Sequence, residues 1–131
     1  SRFEGLLNVR AEITSICSHH HQPVKGICHI GIIPSTKVIG LSKYVRLAQH
    51  EARRGTLQEE LVTRIMKRVM EETDSEDVAV HIMATHGCME NRGICAANSS
   101  THTTALNGQF YSGAVREEWM QQVMMSLRND S

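Results

Sequence analysis

Apolar residues recur along this chain at two different spacings, and the order of those spacings limits what it can fold into. Apolar and polar residues alternate over 7–16 and again over 78–84, whereas 42–54 and 57–72 carry apolar residues three and four positions apart. Alternation is typical of a half-buried strand, and the longer spacing of an amphipathic helix. Paired helices between strand segments, without strict alternation of strand and helix, predict an α+β fold with helices on one face of an antiparallel sheet.

Two more strands are predicted from β-branched residues and from the residues that interrupt them. Pro23 and Gly26 predict a turn, after which 27–33 is rich in isoleucine and ends at Pro34. Threonines in 99–110 predict a fourth strand. The sheet is therefore expected to have four strands, of which the first two pair as an antiparallel hairpin.

The helices are predicted from capping residues and apolar stripes. Ser42 is predicted to cap the first helix, which Gly55 ends, and the second helix follows over 57–72. A terminal helix is predicted over 115–127. The first two helices thus lie between strands 2 and 3. Because an open sheet this small leaves two edges to cover, we expect subunits to associate.

Length and charge exclude several classes of protein. The chain has 131 residues, which predicts a single domain over 1–131. Its 14 basic and 14 acidic residues give no net charge, so we expect neither a nucleic-acid partner nor a membrane partner. Apolar stretches fall short of the roughly 20 residues that span a bilayer, and the first residues lack the features of a signal peptide. These features predict a cytoplasmic protein.

The chemistry is concentrated in a set of metal-ligating residue types that the sequence divides into two parts. One part is Cys-Ser-His-His at 17–20, and the other is His-Gly-Cys at 86–88. Thiolates and imidazoles are typical zinc ligands, and a Cys-x-x-His spacing lets two donors reach one ion. Three ligands and a water would make a catalytic site, whereas a fourth ligand from His19, His21 or His86 would make a structural one. The residues alone leave both interpretations open.

The other cysteines and most other histidines have structural interpretations. Cys28 and Cys95 lie in strand-like or small-residue stretches, where a cysteine acts as a small buried apolar residue. His19 and His86, beside the proposed ligands, could instead move protons near neutral pH. The histidines that we expect to be exposed or to have structural partners are His21, His29, His50, His81 and His102.

A second candidate site is cationic. Lys43 and Arg46 are in the first turns of the predicted first helix, and Arg92 follows the second cysteine motif. Helix N-terminal amides together with lysine and arginine bind phosphate, although a solvated charged face is the alternative. Gln58 and Glu59 begin the second helix, where the helix dipole alone would also explain a carboxylate.

Five blocks of the sequence, in order and in register, closely resemble the successive blocks of the GTP cyclohydrolase I family. These are CSHHHQP, IGIIPSTKVIGLSKYVRL, RRGTLQEELVTRI, ATHGCMENRGI and NSSTHTTALNGQF. The resemblance extends from about Val9 to the terminal helix. It implies the tunnelling fold, in which subunits join their sheets around a β-barrel, and a homo-oligomer that is a decamer of two pentamers. It also implies active sites at the subunit interfaces.

The same resemblance implies a metal site and a reaction. Cys17, His20 and Cys88 match the zinc ligands of the family. The zinc would lower the pKa of a bound water and deliver hydroxide to C8 of the guanine of GTP, after which the imidazole ring opens and formate leaves. Rearrangement of the ribose would give 7,8-dihydroneopterin triphosphate, the entry compound for pterins, folates and 7-deazaguanines.

Further roles are implied at matched positions. His86 matches the general acid/base of the family, and His19 matches an auxiliary proton-transfer group. Glu59 resembles the carboxylate that accepts hydrogen bonds from the guanine N1–H and amino group, and Gln58 would line the same pocket. The residues at the ribose and triphosphate positions of the family are Ser42, Lys43, Arg46 and Arg92.

The sequence departs from the family pattern at two points. Ser18 stands where the family has glutamate, so a carboxylate beside the zinc ligands is missing. The sequence also has no counterpart of the long N-terminal helical extension of the family, which predicts a short form. One alternative is an enzyme of the same fold that acts on another purine, pterin or deazaguanine, such as a nitrile reductase with a free cysteine nucleophile. Another is a non-catalytic, zinc-stabilised nucleotide-binding module.

Overall fold

The structure is a computed structural model, and it describes residues 5–16, 23–37, 39–54, 58–86 and 99–130. In these ranges the chain forms one four-stranded sheet, three α-helices and one 3-10 helix. Their bounds are β1 Leu7–Ile16, β2 Pro23–Ile32, α1 Leu41–Ala52, α2 Gln58–Thr73, β3 Val78–His86, β4 Ser99–Leu106, the 3-10 helix Gly108–Tyr111 and α3 Ala114–Asn129. The predicted α+β class and the antiparallel four-stranded sheet are confirmed. None of the described helices is long and apolar enough to cross a membrane.

The strands follow one another in the sheet in chain order, and each is antiparallel to the next. Ile16 pairs with Pro23 across β1 and β2, and His86 pairs with Ser99 across β3 and β4. These four residues therefore mark one end of the sheet, which we call the ligand end. The connections from β2 to α1 and from α2 to β3 lie at the opposite end.

The two central helices cover one face of the sheet and enclose the main core with it. From the strands, Ile30, Val80 and Ile82 are almost completely buried in this core. The apolar stripes predicted for the helices are confirmed, except that Met66 is only partly buried and Leu57 lies outside the described residues. The buried helical residues of the core are Tyr44, Leu47, Ala48, Ala52, Leu61, Val62, Ile65 and Val69.

Helix α3 packs on the opposite face of the sheet, a position that the sequence did not indicate. Trp119 is fully buried there, donates a hydrogen bond of 3.0 Å to Oδ1 of Asn8 and contacts the ring of Phe110 edge-on. Gly31 lies beneath the indole, and a side chain does not fit there: a Cβ atom at this position would be only 2.5 Å from Nε1 of Trp119. The sheet is thus covered on both faces.

Two strand boundaries that the sequence predicted are wrong. Pro23 and Gly26 lie in β2 rather than in a turn. A proline is tolerated as the first residue of a strand, and Gly26 suits a close approach because its Cβ would lie 3.0 Å from the carbonyl oxygen of Met83. The fourth strand ends at Leu106, because Gly108 adopts a φ of 66° and begins the 3-10 helix.

The prediction that Ser42 caps α1 is wrong. The helix begins at Leu41, and Gly40 occupies the N-cap position in an extended conformation without a side-chain cap hydrogen bond. Ser42 is therefore the second residue of the helix, and it is exposed. The helix ends at Ala52, before Gly55, which lies outside the described residues. The exposed Ser42 hydroxyl is therefore at the N-terminus of the helix, where a ligand could reach it.

Candidate active site

The two parts of the predicted metal site continue from strands that end at the ligand end of the sheet. Cys17 follows directly after Ile16, the last residue of β1, and Cys88 is two positions after His86, the last residue of β3. Only β2 separates β1 from β3, so the two strand ends are about 10 Å apart at the usual strand spacing. The fold therefore brings together two segments that lie far apart in the sequence.

The ligand side chains themselves are not part of the described structure. The predicted site residues that lie outside the described ranges are Cys17, His19, His20, Cys88 and Arg92. The backbone of His86 is described as the end of β3, but its side chain is not. Among the described side chains, no group of three or more His, Cys, Asp and Glu could hold a metal ion. The fit with zinc thus comes from the donor types and from the shared strand ends.

The predicted guanine-binding pair, residues 58–59, begins α2, and α2 begins towards the ligand end. In the last turns of α1, the Gln49 side chain donates a hydrogen bond of 3.1 Å to the carbonyl oxygen of Glu12 in the second half of β1. Beyond the C-terminus of α2, Ser75 Oγ donates a hydrogen bond of 2.8 Å to the carbonyl oxygen of Ile33, which follows the last residue of β2. Helix α2 therefore runs from the ligand end of the sheet to its opposite end. The side chains of residues 58–59 are not described.

The predicted phosphate-binding residues lie at the other end of the helix pair. Ser42, Lys43 and Arg46 are exposed in the first turns of α1, and Lys43 Nζ forms an ion pair of 3.0 Å with Oε1 of Glu72 in the last turn of α2. The hydrogen bond from Lys43 and its positive charge lower the pKa of Glu72. Glu59 and Glu72 are thirteen positions apart on α2, which is about 20 Å at 1.5 Å per residue. Within one chain, the guanine pair and the phosphate residues are thus far apart.

A groove of about 460 Å³ lies between α1 and α2, and its lining residues are Lys43, Arg46, Leu47, His50 and Arg68. Three of these were not predicted to belong to a site: Leu47, which belongs to the core, and the polar residues His50 and Arg68. Lys43, Arg46 and His50 share one face of α1 because they are three, four and seven positions apart, and this spacing could have indicated His50. Arg68 comes from α2, and only the packing of the helices brings it to the groove.

Buried Glu51 holds Arg68 in place beside the groove. The Glu51 side chain is 2% exposed and accepts hydrogen bonds from Arg64 Nε at 3.0 Å and from Arg68 Nη1 at 2.8 Å. Arg64 also donates to the backbone carbonyl of Glu51. Burial by itself raises the pKa of Glu51, but the hydrogen bonds and charges of the arginines outweigh burial and the pKa is lowered. The ionised carboxylate therefore connects the two helices.

Cys28 is the cysteine for which the described residues settle a role. It is completely buried in the core between the sheet and the central helices, and burial raises the pKa of its thiol to about 12. A thiol of this kind is neither a nucleophile nor a metal ligand at neutral pH. The prediction of a structural Cys28 is confirmed, whereas Cys95 lies outside the described residues.

The sheet topology and the attached helices place the chain in a class of α+β proteins with a solved relative. The crystal structure of the archaeosine synthase QueF-Like in its apo form aligns with a TM-score of 0.62 and covers 82% of this chain and 97% of that one. The sequences are only 14% identical, so this similarity concerns the fold alone. The fold is the tunnelling fold that the sequence blocks implied.

Within that class, the comparison with known families is specific. Residues 4–124 match the family described as GTP cyclohydrolase I. The match covers nearly the whole chain, and the chain belongs to this family.

Curated relatives agree with the family match. GTP cyclohydrolase 1 of Campylobacter jejuni strain RM1221 is 46% identical over 109 residues, which are 82% of this chain and 57% of that protein. GTP cyclohydrolase 1 of Streptomyces coelicolor is 42% identical over 115 residues, 86% of this chain and 57% of the relative. The Saccharomyces cerevisiae enzyme of the same name is 45% identical over 83% of this chain and 45% of its own. The chain spans about half the length of the curated relatives that it matches.

Proposed function

We propose that this chain is the catalytic part of a zinc-dependent GTP cyclohydrolase, which hydrolyses GTP at C8, releases formate and yields 7,8-dihydroneopterin triphosphate. The observation that carries the proposal is the common position of the strand ends at Ile16 and His86, beyond which the two parts of the Cys/His set follow. Membership of the family and the names of the curated relatives support the same activity. We expect the protein to act in the cytoplasm, without nucleic acid or membrane.

In this proposal Cys17, His20 and Cys88 hold the zinc ion. When bound, zinc would supply a Lewis acid that lowers the pKa of a water molecule in the open coordination position. Cys28 cannot replace one of these ligands, because it is buried in the core and burial raises its pKa to about 12. Ser18 itself carries no charge, whereas a glutamate at this position would place a carboxylate next to the histidines in the sequence.

The remaining residues at the ligand end would bind the base and move protons. His86 would protonate a purine nitrogen as the imidazole ring opens, and His19 would assist the transfer. The two oxygens of Glu59 would accept from the N1–H and the amino group of guanine, a pair of donors that adenine lacks, and Gln58 would line the pocket. The start of α2 towards the ligand end supports this assignment.

At the other end of α2, Ser42, Lys43 and Arg46 would hold the ribose and triphosphate, together with Arg92. Lys43 must then exchange its ion pair with Glu72 for a phosphate. Both partners of that pair are partly exposed, and solvent screens the attraction between exposed charges, so a triphosphate can displace Glu72. The exposed position of Arg46 in the groove supports the same role.

The separation of the two sets of residues along α2 supports an active site shared between subunits. A GTP molecule bound at Glu59 of one chain would receive its phosphate contacts from Lys43 of a neighbouring chain. Within the described residues, the outer edges of β1 and β4 pair with no further strand, so sheets of neighbouring subunits could join there into a barrel. We propose a homo-oligomer of this kind, a decamer of two pentamers.

The direct test is the reaction itself. Zinc-loaded protein incubated with GTP should release formate and give a fluorescent pterin after oxidation, whereas protein treated with a chelator should release none. If zinc is fully bound and GTP remains intact, the proposal is wrong.

The same preparation separates the alternatives. Tight GTP binding without formate, together with formate release by Ser18→Glu, would indicate a binding module that lost turnover with the missing carboxylate. NADPH oxidation with a deazaguanine nitrile would indicate a reductase. Cys28 would not be the nucleophile of such a reductase, because that chemistry needs a reactive thiolate and burial raises the pKa of Cys28 to about 12.

A further inference from the structure

The groove between α1 and α2 contains two side chains, His50 and Arg68, to which the proposed function gives no role. Arg68 is partly exposed, with 40% of its side chain accessible, and only its Nη1 atom is engaged with Glu51. A guanidinium carries five N–H donors, so within the described residues most of the Arg68 donors remain available to a ligand in the groove. Leu47 is the single apolar residue among the five that line the groove.

The charge around the groove favours an anion with several negative charges. Two carboxylates are close by: Glu51, which Arg54, Arg64 and Arg68 surround, and Glu72, which pairs with Lys43. Arg46 makes no ion pair within the described parts of the chain. Three cationic side chains that line the groove, Lys43, Arg46 and Arg68, thus face two carboxylates, and the excess of positive charge suits a polyphosphate. The volume of about 460 Å³ is also in the range of small-molecule sites.

We propose that Arg68 and His50 bind the terminal phosphates of the nucleotide in this groove, and so determine the preference for a triphosphate. The inference rests on the proposed function in that the ligand is a nucleoside triphosphate, and it adds a second helix to the phosphate site. Arg68 would donate to phosphate oxygens with the N–H groups that Glu51 does not use, while the 2.8 Å bond to Glu51 fixes its orientation. His50 would add a ring N–H from α1.

Arg64 offers a matched control. It lies on the same helix, one turn before Arg68, and bonds to the same carboxylate, but it does not line the groove. Arg64→Gln and Arg68→Gln should therefore both weaken the connection between the helices. Only Arg68→Gln should weaken phosphate binding.

The experiment measures two quantities on the zinc-loaded protein: the Kd for inorganic tripolyphosphate by calorimetry, and kcat and KM for GTP. For Arg68→Gln we expect the tripolyphosphate Kd and the GTP KM to rise about ten-fold with kcat within two-fold, as for loss of a charge-assisted hydrogen bond. GDP should be affected less than GTP. Arg68→Lys should recover part of the affinity, and Arg64→Gln should keep both values within two-fold.

Equal losses in Arg64→Gln and Arg68→Gln would overturn the inference, because Arg68 would then act only through Glu51. Unchanged binding in Arg68→Gln would overturn it as well. If Arg68→Gln does not fold, His50→Gln makes the same test, since His50 has no bond to Glu51. If tripolyphosphate binding depends on Arg68 but no formate is released, the phosphate site in the groove is supported and the cyclohydrolase activity is refuted. If formate is released and the GTP KM is unchanged in Arg68→Gln, the cyclohydrolase activity is supported and the role of Arg68 in phosphate binding is refuted.

Discussion

At the scale of single residues, Glu51 connects the two central helices through a buried charge. It is an anion that is 2% exposed, and two arginines of α2 donate to it from the neighbouring helix. Removing the charge of a buried group leaves the charges of its partners uncompensated. The resulting loss of stability is larger than the net contribution of the intact ion pair. The lowered pKa of Glu51 also means that its stabilising effect is present above its unfolded pKa and is lost as the pH falls towards the folded value.

We therefore expect Glu51→Gln to lower the free energy of unfolding by about 2–4 kcal/mol. The measurement is urea denaturation followed by the fluorescence of Trp119, the only tryptophan of the chain. Glu71→Gln removes a carboxylate from an exposed position of α2 and should change stability by less than about 0.5 kcal/mol. Equal effects of the two substitutions would contradict the role of the buried anion.

Two buried histidines, His29 and His81, lie side by side on β2 and β3 under α3. His29 Nε2 is 2.8 Å from Ser126 Oγ, and His81 Nε2 is 3.0 Å from Nδ1 of His102. The Nδ1 atoms of both rings have no hydrogen-bond partner within the described structure. The pKa of each ring is lowered to about 4, mainly by burial and to a smaller extent by nearby cationic or imidazole groups. For His29, the charge of Asp130 opposes this shift.

The lowered pKa values predict a loss of stability in mild acid. Above pH ~6.5 the rings are neutral in both states, but between about 6.5 and 4 the unfolded chain binds protons that the folded chain does not. Stability should thus fall by up to about 1.4 kcal/mol per pH unit for each ring. Urea denaturation of the wild type and of His81→Gln at pH 7 and pH 5 measures this, because both proteins share the other titrating groups. An unchanged pH dependence in His81→Gln would exclude the effect.

The residues beyond the strand ends lead to a prediction about metal and turnover. His86→Ala should keep the zinc content of the wild type but lose formate release, because we assign His86 to proton transfer. Cys88→Ala should lose both, because a thiolate ligand is removed. Zinc is measured by elemental analysis of the purified proteins and turnover by the formate assay. Equal loss of zinc in the two variants would contradict the assigned roles.

At the scale of elements, the sequence predicted the strands and helices well where a periodic pattern was long. Alternation over 7–16 and the stripes of the two central helices correspond to β1, α1 and α2 within a few residues. Boundaries that depended on one residue were less secure: Pro23 begins a strand instead of a turn, and Ser42 does not cap α1. These outcomes depend on neighbouring strands and on the preceding loop, which local propensity does not include. The face on which α3 packs depends on long-range contacts in the same way.

Gly31 tests how α3 is attached to the sheet. In Gly31→Ala the new Cβ would lie 2.5 Å from Nε1 of Trp119, so the indole must move and α3 must shift with it. We expect a loss of about 1–3 kcal/mol in the free energy of unfolding, with a shift of the Trp119 emission to longer wavelength. Gly40→Ala adds a methyl group where no atom lies within 4 Å and should leave the emission unchanged. An unshifted emission in Gly31→Ala would contradict the close packing.

At the scale of the whole molecule, the candidate site could be predicted only in part. The residue types of the metal site and of the phosphate set are visible in the sequence, and the fold shows that the strands preceding Cys17 and Cys88 end at the same end of the sheet. The distance between the phosphate set and the guanine pair cannot be read from the sequence, because it depends on the direction in which α2 runs across the sheet. Lys43 pairs with Glu72, about 20 Å along the helix from Glu59. Under the proposed function, a complete site therefore combines residues of two subunits.

This division predicts that two defective variants can restore one another. Lys43→Ala damages the phosphate contacts and Glu59→Gln the guanine contacts, so each variant alone should release formate at a small fraction of the wild-type rate. If each site combines Lys43 of one subunit with Glu59 of its neighbour, random co-assembly leaves about one site in four with both contacts intact. Co-expression of the two variants with different affinity tags, followed by double purification, should thus recover about a quarter of the wild-type formate release.

The control for this recovery is a pair of variants from the same set of residues. Ser42→Ala and Lys43→Ala both damage the phosphate contacts, which we expect one subunit to supply, so no mixed site would contain an intact set. Co-expression of this pair should therefore release no more formate than the average of the two variants alone. Recovery in both mixtures would mean that the variants act on assembly rather than on binding. No recovery with Lys43→Ala and Glu59→Gln would mean that one chain supplies both contacts, contrary to their separation along α2.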